Sequence, residues 1–332
     1  MPTESFMEFR VFVLLTAVTM CAMAMSPRES AEVYGADACV RVVVTDDDNH
    51  VVSNADVEVY FDLSVREGRT CRGKTDARGA FSASGKTTGD VLVNVSRQGF
   101  YRTAEKIQLA EDESREVKNR RWMPEEIVTN VVLRAIVHPV DLKTTEWPRG
   151  FLIPQVGTPI GLDLEKQDWI KPWGNGEVAD FEVEYVSDGK RGREYTGAKL
   201  RIKFVRPFDG AYECKLRKSS TLETVHRADT NHVYLSELCY WEERGAKGRF
   251  EGHLLGEDDL LVLRTRCRVD RDGRLQGGQY SMIVGGIRFG WSRKAVGAIR
   301  FHTYLNPTFN DPNLEAKSIY NTPNFRTIGG RE

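Results

Sequence analysis

Apolar residues in this chain recur in short alternating runs separated by Gly, Asn, Asp and Pro. Val40 to Thr45 is a β-branched run that stops at Asp46-Asp47-Asp48-Asn49. Val57-Glu58-Val59-Tyr60-Phe61 alternates and then turns apolar, and Val91 to Val95 is a third such run. Ala80 to Ser82, Ile107 to Leu109 and Val128 to Ile136 continue the series. A period of two sends successive side chains to opposite faces, so each run buries one face of a strand. No window before residue 140 carries a helical apolar period. About seven short strands at this spacing predict a β-sandwich over residues 38–138.

Residues 139–175 break the pattern. Pro139, Pro148, Pro154, Pro159 and Pro172 interrupt them, with Trp147, Trp169 and Trp173 interleaved. Proline lacks the N–H that a ladder needs and fixes φ, so the segment reads as an extended Pro/Trp-rich connector. Alternation then resumes in Phe181 to Tyr185, Lys199 to Arg206 and Leu263 to Val269. Asp270-Arg271-Asp272-Gly273 reads as a hairpin turn, and Gly285-Gly286 as a bulge within Tyr280 to Phe289. Phe301 to Leu305 is the last run, giving a second antiparallel β domain over 176–305. An Asn-, Pro- and Asp-rich tail, an ordered loop or a flexible terminus, occupies 306–332. The fold class is therefore all-β, with two β-sandwich domains. The expected core includes Val57, Val59, Phe81, Val91, Val93, Val95, Leu200, Ile202, Phe204, Cys267 and Val269.

Landmarks in the first domain carry a resemblance. Lys74-Thr75-Asp76-Ala77-Arg78-Gly79-Ala80-Phe81 leads through a tight polar turn, with Gly79 free to take positive φ, into a strand. Val57-Glu58-Val59 precedes it and Gly99-Phe100-Tyr101 follows about twenty residues later. In order and spacing these resemble the carboxypeptidase regulatory-like (transthyretin-like) family, over residues 38–137. The resemblance implies a prealbumin-like sandwich that acts as an accessory module and has no catalytic residues to carry over. The remainder is similar to uncharacterised exported bacterial proteins. That likeness lies in Gly161-Leu162-Asp163-Leu164, Asp168-Trp169, Gly174-Asn175-Gly176 and the closing Tyr304-Leu305-Asn306-Pro307 to Glu315. It implies no activity.

The amino-terminal segment supplies an address. Val11 to Met25 is apolar and uncharged, Arg10 precedes it, and Ala22-Met23-Ala24 offers small residues to signal peptidase. Residues 1–24 thus read as a signal peptide. About 15 apolar residues make ~22 Å of helix, short of the ~20 residues a membrane span needs. A lipoprotein anchored at Cys21 is the weaker alternative, because Met20 stands where a small residue belongs. The mature chain is expected to be periplasmic or extracellular, without a membrane span. A net charge of −1 gives no overall field to select nucleic acid. Removing Cys21 leaves Cys39, Cys71, Cys214, Cys239 and Cys267, an odd set with no zinc-ligand spacing. Cys39 and Cys71 share a domain and could pair in an oxidising compartment; the alternative is that most cysteines are small buried hydrophobes.

Candidate chemistry is sparse. Ala80-Phe81-Ser82-Ala83-Ser84-Gly85-Lys86-Thr87 satisfies a relaxed phosphate-loop pattern but lies between strands, with no helix to aim amides at a phosphate. Asp46-Asp47-Asp48 and Asp270-Arg271-Asp272-Gly273 lack the alternate ligands and distal glutamate of a calcium loop, and read as turns. His226 and His232 could meet a metal across a loop, yet read as solvated; no metal or cofactor is expected. Trp169, Trp173, Tyr240 and Trp241 are aromatic candidates for gripping a sugar face or a partner, set against ordinary core packing. Lys199, Arg201 and Lys203 share one side of a strand, as do Arg264, Arg266 and Arg268. If those strands adjoin, that side attracts anionic glycan or headgroups; otherwise it is a solvated face. The favoured function is a non-catalytic cell-envelope protein that binds or presents a glycan or protein through its second domain. The alternative is a polysaccharide hydrolase with Asp168 and Glu177 as its acid–base pair.

Overall fold

The computed structural model describes residues 25–64, 66–144, 150–190, 192–293 and 297–317. The signal-peptide reading of 1–24 with Cys21, Trp147 and Pro148 of the connector, and residues 318–332 of the tail lie outside them. The described chain is all-β apart from short helical turns, the longest being α1 (Pro27–Tyr34). That helix has no apolar period, but its end is written locally. Ser26 and Glu29 form a reciprocal capping box, and Pro27 opens the first turn. Arg28 then ties the helix down by donating to the carbonyls of Ala110 (2.6 Å) and Arg115 (2.9 Å).

The first domain contains β1 (Ala36–Asp46), β2 (Asp56–Leu63), β3 (Arg66–Lys74), β4 (Ala80–Thr87), β5 (Asp90–Ser96), β6 (Thr103–Gln108), β7 (Val117–Lys118), β8 (Arg121–Trp122) and β9 (Ile127–Leu133). β3-β2-β5-β6 form one sheet. β4, β1 and β9 form the other, with β8 and β7 at the end of β1. Alternate residues Val40, Val42, Val44, Val57, Val59, Phe61, Val91, Val93 and Val95 meet between them, all essentially inaccessible. The turn before β4 forms as its composition demands. Asp76 accepts from the N–H groups of Arg78 and Ala80, and Gly79 sits at φ 70°. A Cβ on Gly79 would lie 2.6 Å from the Val44 carbonyl oxygen, so glycine is required there. The phosphate-loop-like residues are simply β4. Phe81 is only half-buried. Cys39 and Cys71 are unbridged.

The second domain contains β10 (Lys143–Thr144), β11 (Phe151–Leu152), β12 (Ile160–Asp163), β13 (Asp168–Trp169), β14 (Phe181–Ser187), β15 (Gly197–Lys203), β16 (Gly210–Lys215), β17 (Glu237–Arg244), β18 (Phe250–His253), β19 (Asp259–Val269), β20 (Leu275–Gly290) and β21 (Ala298–Leu305). One sheet runs β10-β21-β20-β19-β16, with β11 also on β21; the other runs β13-β12-β14-β15-β17-β18. The expected connector is therefore not a linker. β10 and β11 join the first sheet and β12 and β13 the second, with the described prolines Pro139, Pro154, Pro159 and Pro172 outside these strands. The first sheet is covered twice. Leu261, Leu263, Ile283, Ile299 and Phe301 face the partner sheet. Leu260, Val262, Met282 and Tyr304 face the segment 216–234 and the tail, where Leu314 is fully buried. The described part of the tail, 306–317, packs over this face. Gly285 and Gly286, at φ 76° and 86°, carry the bulge. Asp270 closes the β19–β20 hairpin by accepting from Asp272 and Arg274.

The two domains share a buried polar joint. Arg134, just past β9, has a side chain 6% exposed. It donates to the carbonyls of Leu222 (2.6 Å) and Thr224 and to His226 Nδ1 (2.8 Å), and faces Asp47 at 3.5 Å. A guanidinium only donates, so Nδ1 must accept and Nε2–H donates to the Ala135 carbonyl at 2.7 Å. Glu315 closes the same joint, accepting from Tyr101 Oη (2.8 Å) and the N–H groups of Val137 and His138. Beside it, Ser219 to Thr221 extend the edge of β6 through Ala104 N–H to Ser219 O (2.7 Å) and Thr221 N–H to Arg102 O (2.8 Å).

Replacing Arg134 by Met strands several buried acceptors and is expected to cost about 3 kcal/mol in urea unfolding. Arg217→Ala removes the more exposed partner of the same Asp47 and should cost under about 1 kcal/mol. Equal losses in the two variants would show that burial of the joint is not what matters.

Candidate functional site

The structure separates the sequence-selected residues. Trp169 is 5% exposed and spends its indole N–H on the Leu152 carbonyl (2.9 Å), so it is core. Trp173 is 47% exposed on a turn, and Trp241 lies partly exposed on the outer face of β17. Asp168 is committed to that turn: one oxygen accepts from Trp169 N–H (2.9 Å), the other from Asn175 N–H (2.8 Å). Gly174 has no room for a Cβ, which would stand 2.5 Å from the same carboxylate. Glu177 is exposed, and its N–H donates to Asp163. Asp168 thus serves a turn and Glu177 faces solvent.

The two basic rows do not adjoin, because β15 and β19 belong to opposite sheets. Lys199, Arg201 and Lys203 do share the solvent face of β15, where Arg201 pairs with Glu184 and Glu237. The other row is broken by a register shift between Thr265 and Arg268, with Arg266 at φ 53°. Arg264 is buried, 3.9 Å over the Tyr234 ring; Arg268 lies over Phe309. Arg266 crosses to the other sheet and binds Asp163 (2.7 Å), Asp180 (2.8 Å) and Glu165 (2.6 Å). Burial alone would lower its pKa, but Asp180, Asp163 and Glu165 raise it. The Asp163 pKa is lowered in turn: burial pushes it up, and the N–H groups of Glu177, Lys166 and Val178 with Arg266 outweigh that. Asp209 caps the bulge through Arg266 N–H and Cys267 N–H, and burial raises its pKa. Burial and then Asp209 push the Cys267 thiol up to about 12. The same bulge turns Val269 outward, 44% exposed, against the core expectation.

What the fold does assemble is a groove at the mouth of the second sandwich. Here β16, the edge of one sheet, faces β17 and β18 at the edge of the other. The groove holds about 540 Å³ and is lined by Tyr212, Glu213, His232, Val233, Leu235 and Tyr240 among others. Tyr240 Oη donates to Glu213 at 2.7 Å, joining the sheets across the mouth. Burial, and then this hydrogen bond to Glu213, raise the Tyr240 pKa and keep it a neutral phenol. His232 lies 4.1 Å from the Tyr212 ring centre, and His253 stacks beyond Tyr240 at 5.8 Å. Val233 (75% exposed) and Leu235 (50%) form an apolar rim. No lysine or arginine is among the lining residues. Of the sequence candidates Tyr240 and His232 line it; Tyr240 contributes an edge, being 1% exposed.

Two further cavities are less selective. One of about 670 Å³ in the first domain carries Asp37, Glu67, Glu125 and Glu126 together with Arg69, Lys86 and Arg121, so its charges largely compensate. One of about 360 Å³ lies against the Arg134 joint. Asp46, Asp48 and His50 bring three possible ligand atoms within 4.8 Å of one another at its margin, without further indication of an ion.

No family model and no curated relative matches the chain. Among solved structures it is similar to 3-chlorocatechol 1,2-dioxygenase from Rhodococcus opacus 1CP, at 9% identity and TM-score 0.26 over 31% of this chain and 61% of that one. It is similar also to catechol 1,2-dioxygenase from Acinetobacter radioresistens, at 15% identity and TM-score 0.23 over 32% and 55%. The chain spans less than two thirds of those proteins, and similarity at this level carries no argument about activity.

The Arg266 cluster gives a pH prediction. Asp163 has a folded pKa below its unfolded value, so its contribution is present above about pH 4 and is lost as pH falls through the folded value. Asp163→Asn should therefore flatten the loss of stability as pH falls below about 4, read as the denaturant midpoint. An unchanged slope in that variant would place the acid sensitivity elsewhere.

Proposed function

We propose that this chain is an exported, non-catalytic cell-envelope protein that binds another macromolecule at the mouth of its second domain. The carrying observation is the groove itself, a concave, mixed apolar and carboxylate-bearing surface between two sheet edges. Its exposed Val233 and Leu235 are the apolar contacts that an interface buries, and its tyrosines supply rigid rings behind them. The export reading rests on Val11 to Met25 with Ala22-Met23-Ala24. The first domain acts as an accessory module, read from the Asp76–Gly79 turn and the Gly99-Phe100-Tyr101 closure. Tyr101 bonds Glu315 and so helps hold the binding domain in place. A hydrolase built on Asp168 and Glu177 is disfavoured by the turn bonds that occupy Asp168.

Amino-terminal sequencing of protein recovered from periplasm or medium should find a chain beginning near Met25, and an intact cytosolic chain starting at Met1 would contradict export. The full mature protein should capture an envelope protein or glycan. Val233→Asp should weaken that capture by at least about tenfold with unfolding unchanged, as expected for a rim residue at a binding site. Trp173→Ala should leave it intact. The reverse pattern would move the site to the tryptophan turn.

A further inference from the structure

Resting on that reading, we infer that the partner is a polypeptide which places a lysine or arginine side chain in the mouth groove. Charge is the first argument. Among the described residues Glu213 forms no ion pair, and Glu237 meets only the half-exposed Arg201 at 3.4 Å. A carboxylate in a concave, partly apolar setting attracts a cation more strongly than one on open surface. The walls are the second argument. Tyr212 and Tyr240 line the groove with Glu213, and with their faces packed by His232, Tyr234 and His253 they act as rigid walls that fix where the carboxylate stands. The Tyr240 hydroxyl donates to one oxygen of Glu213, Oε1, and so fixes the carboxylate in the groove mouth. Val233 and Leu235 offer apolar surface to the aliphatic stem of such a side chain.

The backbone distinguishes a polypeptide from an amino sugar. Ala211 turns its N–H and C=O away from β19 and exchanges both with Leu235, at 3.0 and 2.8 Å. In an antiparallel edge strand the same orientation recurs two residues later, at Glu213. Among the described residues nothing pairs with those outward groups of Glu213, since β16 pairs with β19 on its other side. A partner backbone can use them, alongside the carboxylate that takes its side chain. A sugar ring would need a flat aromatic face, and Tyr240 is too buried to give one.

The test uses the full mature protein and three fluorescent octapeptides that differ only in a central lysine, norleucine or glutamate between apolar flanks. The lysine peptide should bind at least about tenfold tighter than norleucine, with glutamate weakest and added salt eroding the difference. Glu213→Gln keeps an acceptor for Tyr240 and should fold normally, yet abolish the lysine preference. Hydrogen exchange at the Glu213 amide should slow when the lysine peptide binds. Equal binding of lysine and norleucine, or a preference that survives Glu213→Gln, overturns the inference. A Val233-dependent capture of envelope glycan without any lysine preference also overturns it, while leaving the proposed function standing. Capture of no macromolecule at all removes both.

Discussion

The joint around Arg134 is the constraint on which the arrangement of this molecule depends. A guanidinium 6% exposed can be tolerated only where its donors are used, and here they are spent on the far domain: two carbonyls and an imidazole of residues 222–226. Those residues belong to the segment that leaves β16 at Lys215, covers one face of the β19–β20 sheet, and returns along the edge of β16 at Leu235. Fixing that segment at the domain joint thus also fixes the wall of the groove. His226 accepts from Arg134 through one nitrogen and reaches the Ala135 carbonyl through the other, so the segment is held at a definite rotation. Glu315 does the same for the tail, which lies over the same sheet face.

The second domain needs this outer layer because its central sheet is apolar on both faces. Leu260, Leu261, Val262 and Leu263 are all inaccessible, so alternate members of one run point to opposite cores. A strand of that kind is stable only when something covers each side. The partner sheet covers one, and the loop and tail cover the other without forming a regular sheet. Coverage stops at the edge, where Val233 and Leu235 remain exposed and the groove opens.

Alternation made much of the first domain legible. Val57, Val59 and Phe61, or Val91, Val93 and Val95, announce a half-buried strand, and Asp76 with Gly79 announces the turn between sheets. β3 left no such signal. Its sequence Arg-Glu-Gly-Arg-Thr-Cys-Arg-Gly-Lys is that of an edge strand guarded by charge, which carries no apolar period to detect. The prolines of 139–175 misled for the opposite reason. They do interrupt ladders, but two- to four-residue strands fit between them, and such strands derive their stability from β21 and β14 and not from their own composition. The row Arg264, Arg266, Arg268 reads as one face only if the strand is regular. A single residue at positive φ sends the three arginines to three different partners.

The groove was illegible for a deeper reason. Its chemistry is spread over residues 212 to 253, on three strands and an irregular segment, and Glu213 alternates with apolar neighbours like any solvent-facing residue. Nothing local distinguishes it from Glu182 or Glu184, which sit opposite Lys203 and Arg201 on β15. What sets Glu213 apart is topology. β16 is a sheet edge, its one ladder neighbour sets Leu261 opposite Glu213, and across the mouth the opposing sheet brings the Tyr240 hydroxyl. A charge compensated within a sheet is surface; the same charge at an uncompleted edge, between two rings and an apolar rim, is a place for a partner to supply the missing cation.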